Sequence, residues 1–595
     1  MGYVIIAATP VVSVGPTAPT APGAPTFTSI TPIGATASWT AATDAVGVTG
    51  YEIKVGAGAW TGVGNVLTYS ITGLAASNTY SVSVRAYNAA AMRGPSATSS
   101  LTTMSGKTYP LIAMMAQGTL NNRTQASANR MAKTHMCVIS FYVGMGRTSF
   151  NGSDGAFIDY VHAQSQIGTK IGRYRILDTY MDALFTDKTN IVTSNNWQVY
   201  KVGTSGAICP NYFDNTWGVV NLSTYVPSVN GMKAADTIMK MYLDYMVDGT
   251  QGGTYQATDK APNEDIFYWD TFACRIPVGG KTSVNPTYAA DINRDGVSDY
   301  QSQVGPPSGT DLDQAWRNGM ALGLNYLRTR KPNMKFIGNM SGWGNAGTTN
   351  GINYINMATE PVGLSGLAKG GFMESQMGLS YSPETWGGFS TNKTMYQYCM
   401  QWSDQSTQDV WMHHCNLAGY DYVQTSGAAW QCTRYAICTT LMDNGYHCES
   451  NAKTGSTDYY SDAGNWCWLD EYTADVDPAS PTFMQFKTEA NSNASHYGYL
   501  GSFTTGPWPA PLSGLGAGSG NGLYVRFTQN SRGQKFAVIL NPRGNGSQTL
   551  NWTAKYGTHL NKFLGVLETT VNNGATGLSS ITLQDRDGLI AMVVP

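Results

Sequence analysis

The sequence predicts a multidomain chain: a small β-sandwich, then a (β/α)8 barrel, then an antiparallel β-sandwich. Three observations predict this. Between residues 25 and 104, short runs alternate apolar and polar residues with turn residues between them, the period of half-buried strands. From 105 to 496, continuous apolar runs alternate with stretches that carry apolar residues at helical spacing. That is the pattern of parallel strands covered on both faces by helices. From 497 to 595 the short alternating strands return.

Residues 1–24 read as an N-terminal arm. Met1 to Ala8 is briefly apolar but has no basic residue before it and is short for a secretory signal, so a docking strand or tail is expected. Pro, Thr, Ala, Gly, Ser and Val then dominate, as in an extended linker. In the first sandwich, Tyr51-Glu52-Ile53-Lys54-Val55 and the run Val82, Val84, Ala86 alternate cleanly, and Trp39 is placed on an inward face. A sandwich of this size needs one large central aromatic.

In the barrel region the expected strands are 136–142, 171–177, 266–272, 335–339, 371–374, 409–414 and 467–471, within a set of roughly eight. Helices are expected over 234–247, 311–330 and 434–444. In the second of these Leu312, Ala315, Trp316, Met320 and Leu324 form one stripe, Arg328 and Arg330 sit near the C-terminus, and Pro332 stops the helix. An open doubly wound sheet is disfavoured, because no glycine-rich phosphate loop follows the first strand. The last unit shows strands at 523–527, 535–540, 581–583 and 589–594.

Charged residues make up 12% of the chain and the formal net charge is −2. That excludes the basic surface a nucleic-acid partner needs. No apolar run approaches ~18 residues, so no membrane insertion is expected. The nine cysteines are odd in number and contain no CxxC pair. They read as reduced core residues made in a reducing compartment.

Chemistry is expected at the strand ends, where the loops of a barrel share one face. Phe267-Tyr268-Trp269-Asp270 ends an apolar run in a carboxylate, and Gly371-Phe372-Met373-Glu374 has the same form. Cleaving a glycosidic bond needs one carboxylate to attack or to activate water and one carboxylic acid to protonate the leaving oxygen. Asp270 and Glu374 are therefore the expected catalytic pair. Tyr142, Asp178, Trp269, Asn339, His413 and Glu471 are the expected substrate-binding residues; Trp269 would stack on a sugar face. His413 and His414 are adjacent on a strand, so at most one points into the mouth. Asp291, Asn293, Asp295 and Asp299 recur with the spacing of the first part of a calcium loop, with Gly296 at its sixth position. Ser302 replaces the glutamate at the twelfth position. A structural calcium is an expectation there; no cofactor is required for the chemistry.

Trp39 on the second strand, with Leu74 six residues ahead of Tyr80, makes residues 25–104 resemble a fibronectin type III domain. Residues 107–595 resemble a group of TIM-barrel glycoside hydrolases with a C-terminal β-domain. Gly172-Arg173-Tyr174, Val220-Asn221-Leu222-Ser223, Phe267 to Asp270, Asp291 to Gly296, Phe372-Met373-Glu374 and Leu469-Asp470-Glu471-Tyr472 carry that likeness. More distantly, acids after strands four and six resemble the α-galactosidase-like clan. That resemblance implies Asp270 as nucleophile and Glu374 as acid/base of a retaining enzyme, although the clan has aspartate at the second place. A fibronectin-type module with reduced cysteines and no signal peptide resembles bacteriophage tail proteins. It implies a virion depolymerase acting outside the cell on capsule, exopolysaccharide or lipopolysaccharide glycan. The partners implied are the polysaccharide, other tail proteins through the N-terminal region, and further copies in a homo-oligomer. Release by a non-classical route, a glycan-binding protein without turnover, and a structural tail protein are the alternatives.

Overall fold

The computed structural model describes residues 17–31, 34–72, 74, 78–103, 107–116, 123–139, 154–180, 186–202, 206–209, 217–249, 260–270, 272, 290–296, 308–339, 364, 367, 370–377, 383–403, 409–416, 427–451, 468–515 and 522–595. The chain divides into two compact units, one of residues 1–106 with 502–506 and one of 107–501 with 507–595. Barrel and C-terminal sheets thus share one unit.

The first unit is a β-sandwich. Thr26–Thr31, Gly34–Ser38 and Thr68–Ile71 form a three-stranded sheet; Thr61–Gly64, Val48–Val55, Thr79–Asn88 and Ala97–Thr102 form a four-stranded one. Alternation along the strands sends Tyr51, Ile53, Val82, Val84, Ala86 and Leu101 into the core with Trp39. The Trp39 and Tyr51 rings lie 5.7 Å apart.

The second unit is built on a closed barrel of eight parallel strands. In order these are Ile112–Ala116, Met136–Ile139, Lys170–Ile176, Ile266–Asp270, Lys335–Asn339, Gly370–Met377, Asp409–Asn416 and Tyr446–Asn451. Helices Gln125–Met131, Asp154–Gln164, Ala234–Tyr242, Ser308–Arg330, Pro383–Trp402 and Gly427–Leu441 lie in the crossovers. Trp316, Met320, Leu324 and Leu327 bury one stripe of the fourth of these. Gly319 faces the Leu222 carbonyl so closely that a Cβ there would fall 1.6 Å from its oxygen; only glycine admits the helix to that distance.

Two strands depart from expectation. Ile112–Ala116 and Tyr446–Asn451, the first and last of the barrel, are not among the expected strands, and 470–472 is a single 3-10 turn rather than the end of one. The reasons are physical. Ile-Ala-Met-Met-Ala has no β-branched residue after its first, so it carries little strand propensity. Tyr446–Asn451 is polar because His447 and Glu449 bond each other behind the wall, with His447 Nε2 and Glu449 Oε2 3.0 Å apart. With the first strand restored, the Gly172-Arg173-Tyr174 strand is the third, not the second.

The C-terminal part packs two sheets. One holds Tyr524–Gln529, Lys535–Asn541, Asp587–Val594 and His559–Lys562; the other pairs Gln548–Asn551 with Ser580–Leu583. Val525, Ala537, Ile539, Leu550, Trp552, Leu560 and Ile581 are buried between them. This part docks on the seventh barrel crossover, helix Gly427–Leu441. Gly588 lies so close to it that a Cβ would stand 2.6 Å from the Arg434 carbonyl oxygen and 2.6 Å from Cys438 Sγ. Arg526, fully buried, donates to the carbonyls of Leu441 at 2.9 Å and Asp443 at 2.6 Å and to Asn444 Oδ1 at 2.8 Å. It thereby satisfies carbonyls that a helix leaves open at its C-terminus.

Candidate active site

The interior of the barrel is filled by rings from several strands, adjacent and non-adjacent. Tyr268 of the fourth strand lies edge-on to Phe372 of the sixth at 5.8 Å, and Phe372 meets Trp411 of the seventh at 6.0 Å. Trp411 Nε1 reaches Met136 Sδ of the second strand at 3.3 Å. Tyr174 of the third strand stacks on Tyr268 at 5.5 Å. The Tyr268–Phe372 and Trp411–Met136 contacts reach between strands that are not neighbours, across the inside of the barrel, and together the rings form a packed floor rather than a pore.

Asp270 stands two residues beyond Tyr268 on the same strand. Alternation puts it on the same inner face, at the C-terminal end. Its neighbours come from the flanking strands. Asn339 Nδ2 donates to Asp270 Oδ1 at 2.7 Å, and the Tyr174 hydroxyl donates to Asp270 Oδ2. Two donors converging on one carboxylate hold both oxygens in place, the bonding that suits an ionised acid. Asp270 is 8% exposed. The structure therefore joins Asp270 and Asn339 and adds Tyr174, which the sequence reading missed as a site residue. The signal was present but needed the register: Tyr174 pairs with Tyr268 and Ile176 with Asp270.

Behind the same two strands lies a buried charge cluster. Arg173 and Arg175 point outward on either side of Tyr174 and share one carboxylate, Glu264. Arg173 Nη2 and Arg175 Nη2 each reach Glu264 Oε2 at 2.7 Å, and the Arg173 amide reaches Oε1 at 2.8 Å. Asp154 accepts from Arg173 at 3.3 Å and from Arg123 at 3.0 Å. Burial opposes the charge on Glu264, but the two guanidinium groups outweigh it and hold its carboxyl below the usual range. The clamp fixes the third strand against the start of the fourth, and so holds the register in which the Tyr174 hydroxyl reaches Asp270.

The other expected residues are placed as follows. Trp269 is a correction: it faces away from the interior, fully buried, with Phe272 at 5.1 Å and Phe336 at 6.3 Å. It packs the wall and cannot stack on a ligand in the mouth. Asp178 is buried just past the third strand, where its carbonyl accepts from the Val220 amide at 2.8 Å. Glu374 and His413 lie within the sixth and seventh strands, Glu374 two residues beyond Phe372. Their side chains, like Tyr142 and Asp299 altogether, lie outside the described residues. His414 bonds Glu449 Oε1 through Nδ1 at 2.8 Å, and the His447 ring beside it meets Thr440 of the crossover helix at 3.1 Å. This pair of histidines therefore faces the helix layer. Burial raises the Glu449 carboxyl against the lowering influence of His447.

Glu471 is also a correction in place. It lies on the turn Asp470–Tyr472, off the barrel strands, and accepts from Asn572 Nδ2 at 2.9 Å in the contact with the C-terminal sheets. In the expected calcium loop three hydrogen bonds run within the loop, and Asp291 Oδ1 is buried without one. Gly296 N donates to Asp291 Oδ2 at 3.1 Å, Asp295 N to Asn293 Oδ1 at 3.0 Å, and Asn293 Nδ2 to Asp295 Oδ2 at 2.9 Å. Among the described residues no group of three His, Cys, Asp or Glu side chains could hold a metal ion.

Residues 20–102 match the family model of the fibronectin type III domain. That segment is a fibronectin type III domain. No curated protein matches the chain. Among solved structures, chitinase ChiA74 from Bacillus thuringiensis is similar at 28% identity over 15% of this chain and 14% of its own, with a TM-score of 0.14. The FN1–FN3 domains of chicken CNTN1 follow at 21% identity, over 15% of this chain and 33% of theirs, TM-score 0.14. The fibronectin type-III domain of human fibronectin type III domain containing protein 3 is 21% identical over 16% of this chain and 92% of its own, TM-score 0.13. The chain thus spans only 14% of the chitinase and 33% of the CNTN1 fragment. Shares of this size are those of the fibronectin type III domain and leave the barrel's activity to its own residues.

Proposed function

We propose that the barrel is a glycoside hydrolase of a bacterial surface polysaccharide, with Asp270 as nucleophile and Glu374 as acid/base. The observation that carries this is the Asp270 carboxylate at the C-terminal end of the fourth strand, above an aromatic floor and held by Tyr174 and Asn339. In this reading an Asp270 oxygen attacks the anomeric carbon while Glu374 protonates the departing glycosidic oxygen. Glu374, now a carboxylate, then takes a proton from the water that releases the sugar from Asp270. The donors on Asp270 orient it for attack, and the water-poor floor strengthens them. No step uses a metal.

The reading extends to location. A fibronectin type III domain ahead of the barrel suits a tail-associated virion protein. The arm before it would dock on other tail proteins, and copies would assemble around the tail axis. Mass spectrometry of purified particles tests that part. For the chemistry, wild-type protein and Asp270→Asn are incubated with a panel of capsule, exopolysaccharide and lipopolysaccharide glycans. Product from the wild type, lost in the variant with binding retained, supports the hydrolase. The burial of Asp270 favours one other reading, a barrel kept as a glycan-binding scaffold; binding without product from the wild type would establish it.

A further inference from the structure

The contact between the barrel and the C-terminal sheets gathers four carboxylates around two cations. Asp470 and Glu471 come from the turn after the barrel, Glu568 from the loop before Thr570, and Asp587 from the start of the last strand. Arg434 on helix Gly427–Leu441 and Lys562 on strand His559–Lys562 are the cations. Three of the acids are well matched. Asp470 accepts from the amides of Val566, Leu567 and Glu568, each at 3.0 Å. Glu568 accepts from the amides of Thr570, Val571 and Asn572 and from Arg434 at 3.2 Å. Asp587 takes both arms of the Arg434 fork, at 3.0 and 3.2 Å, and the Gly588 amide at 2.7 Å. Glu471 is the exception. It is 4% exposed, and its partner is the neutral Asn572 side chain at 2.9 Å. Its own turn adds the like charge of Asp470; the helix adds the neutral thiol of Cys438 and, without a bond to Glu471, the opposing charge of Arg434; the segment at 499 adds the neutral phenol of Tyr499.

We propose that this contact is a proton-linked latch: Glu471 carries a proton when the C-terminal sheets are seated on the barrel, and loss of that proton loosens them. A buried carboxylate with no cation bonded to it is costly, whereas the protonated acid is a neutral donor and acceptor. Burial first, and the Asp470 charge second, raise the Glu471 carboxyl from 4.5 to about 7. The sign follows from linkage. Between the ordinary value and about 7 the seated form binds the proton and the loosened form does not, so seating weakens as pH rises through this window. Below it the contribution is constant. A rise from acidic to neutral pH thus loosens the contact, the proton goes to solvent, and above about 7 the contribution is again constant.

The test is hydrogen exchange of the full chain from pH 5 to 8.5, corrected for intrinsic rates, in peptides covering 468–475 and 564–573. Opening in the wild type should rise on the order of a hundredfold across this range, while peptides covering 264–270 do not follow. Glu471→Gln mimics the protonated acid and keeps its acceptor for Asn572, so its profile should stay flat at the protected level. A flat wild-type profile overturns the proposal by itself, whether or not the variant folds. A Glu471→Gln profile that still rises with pH overturns it equally.

Discussion

Glu264→Gln is the perturbation that probes how the candidate site is held. Glu264 is sealed from solvent and is shared by Arg173 and Arg175, whose side chains are likewise buried. Gln has the same shape but one acceptor oxygen and no charge, and its NH2 group must face a guanidinium. Two buried cations then lose their common counter-charge. Breaking a buried ion pair from one side costs about 3–5 kcal/mol, so a loss of that order is expected in the stability of the barrel unit. Urea denaturation followed by hydrogen exchange in peptides covering 170–176 and 264–270 measures it. The pH dependence gives a second reading. The Glu264 carboxyl lies below its ordinary value in the folded chain, so its contribution is full above that value and is lost as pH falls through the folded one. The wild type should therefore lose stability below about pH 4.5 more steeply than the variant. A variant within about 1 kcal/mol of the wild type at pH 7, or with the same acid slope, would refute the clamp, since a solvated surface pair behaves that way.

Two further outcomes follow from buried groups elsewhere. Arg526→Met leaves the Leu441 and Asp443 carbonyls without their donor and should destabilise the barrel unit by about 2–5 kcal/mol, read as a lower urea midpoint, with the fibronectin type III domain unaffected. Trp39→Ala opens the centre of that domain and should cost it about 3–5 kcal/mol, seen by calorimetry as an earlier transition for residues 20–102 while the barrel transition stays put.

Legibility in the sequence tracked how local the determining physics is. Strands Ile266–Asp270 and Lys335–Asn339 and helix Ser308–Arg330 announce themselves because periodic burial writes a periodic pattern. Tyr446–Asn451 stayed hidden because its polar residues are satisfied by partners on another strand and a helix, which no window of sequence contains. Trp269 was misplaced although alternation forbids it to share a face with Asp270; the rule applied to His413 and His414 applies to it too.

By itself, the sequence determined a sandwich ahead of a parallel barrel ahead of antiparallel sheets, and an acid at the end of the Tyr268 strand. Those are consequences of period, length and turn chemistry along the chain. Only the tertiary structure decided that Tyr174 and Asn339 hold the acid, and that Glu471 sits among the C-terminal sheets instead of beside it. Each of these depends on strand register and barrel closure, which bring together residues about a hundred positions apart, and no local pattern encodes which of many carboxylates will meet which donor.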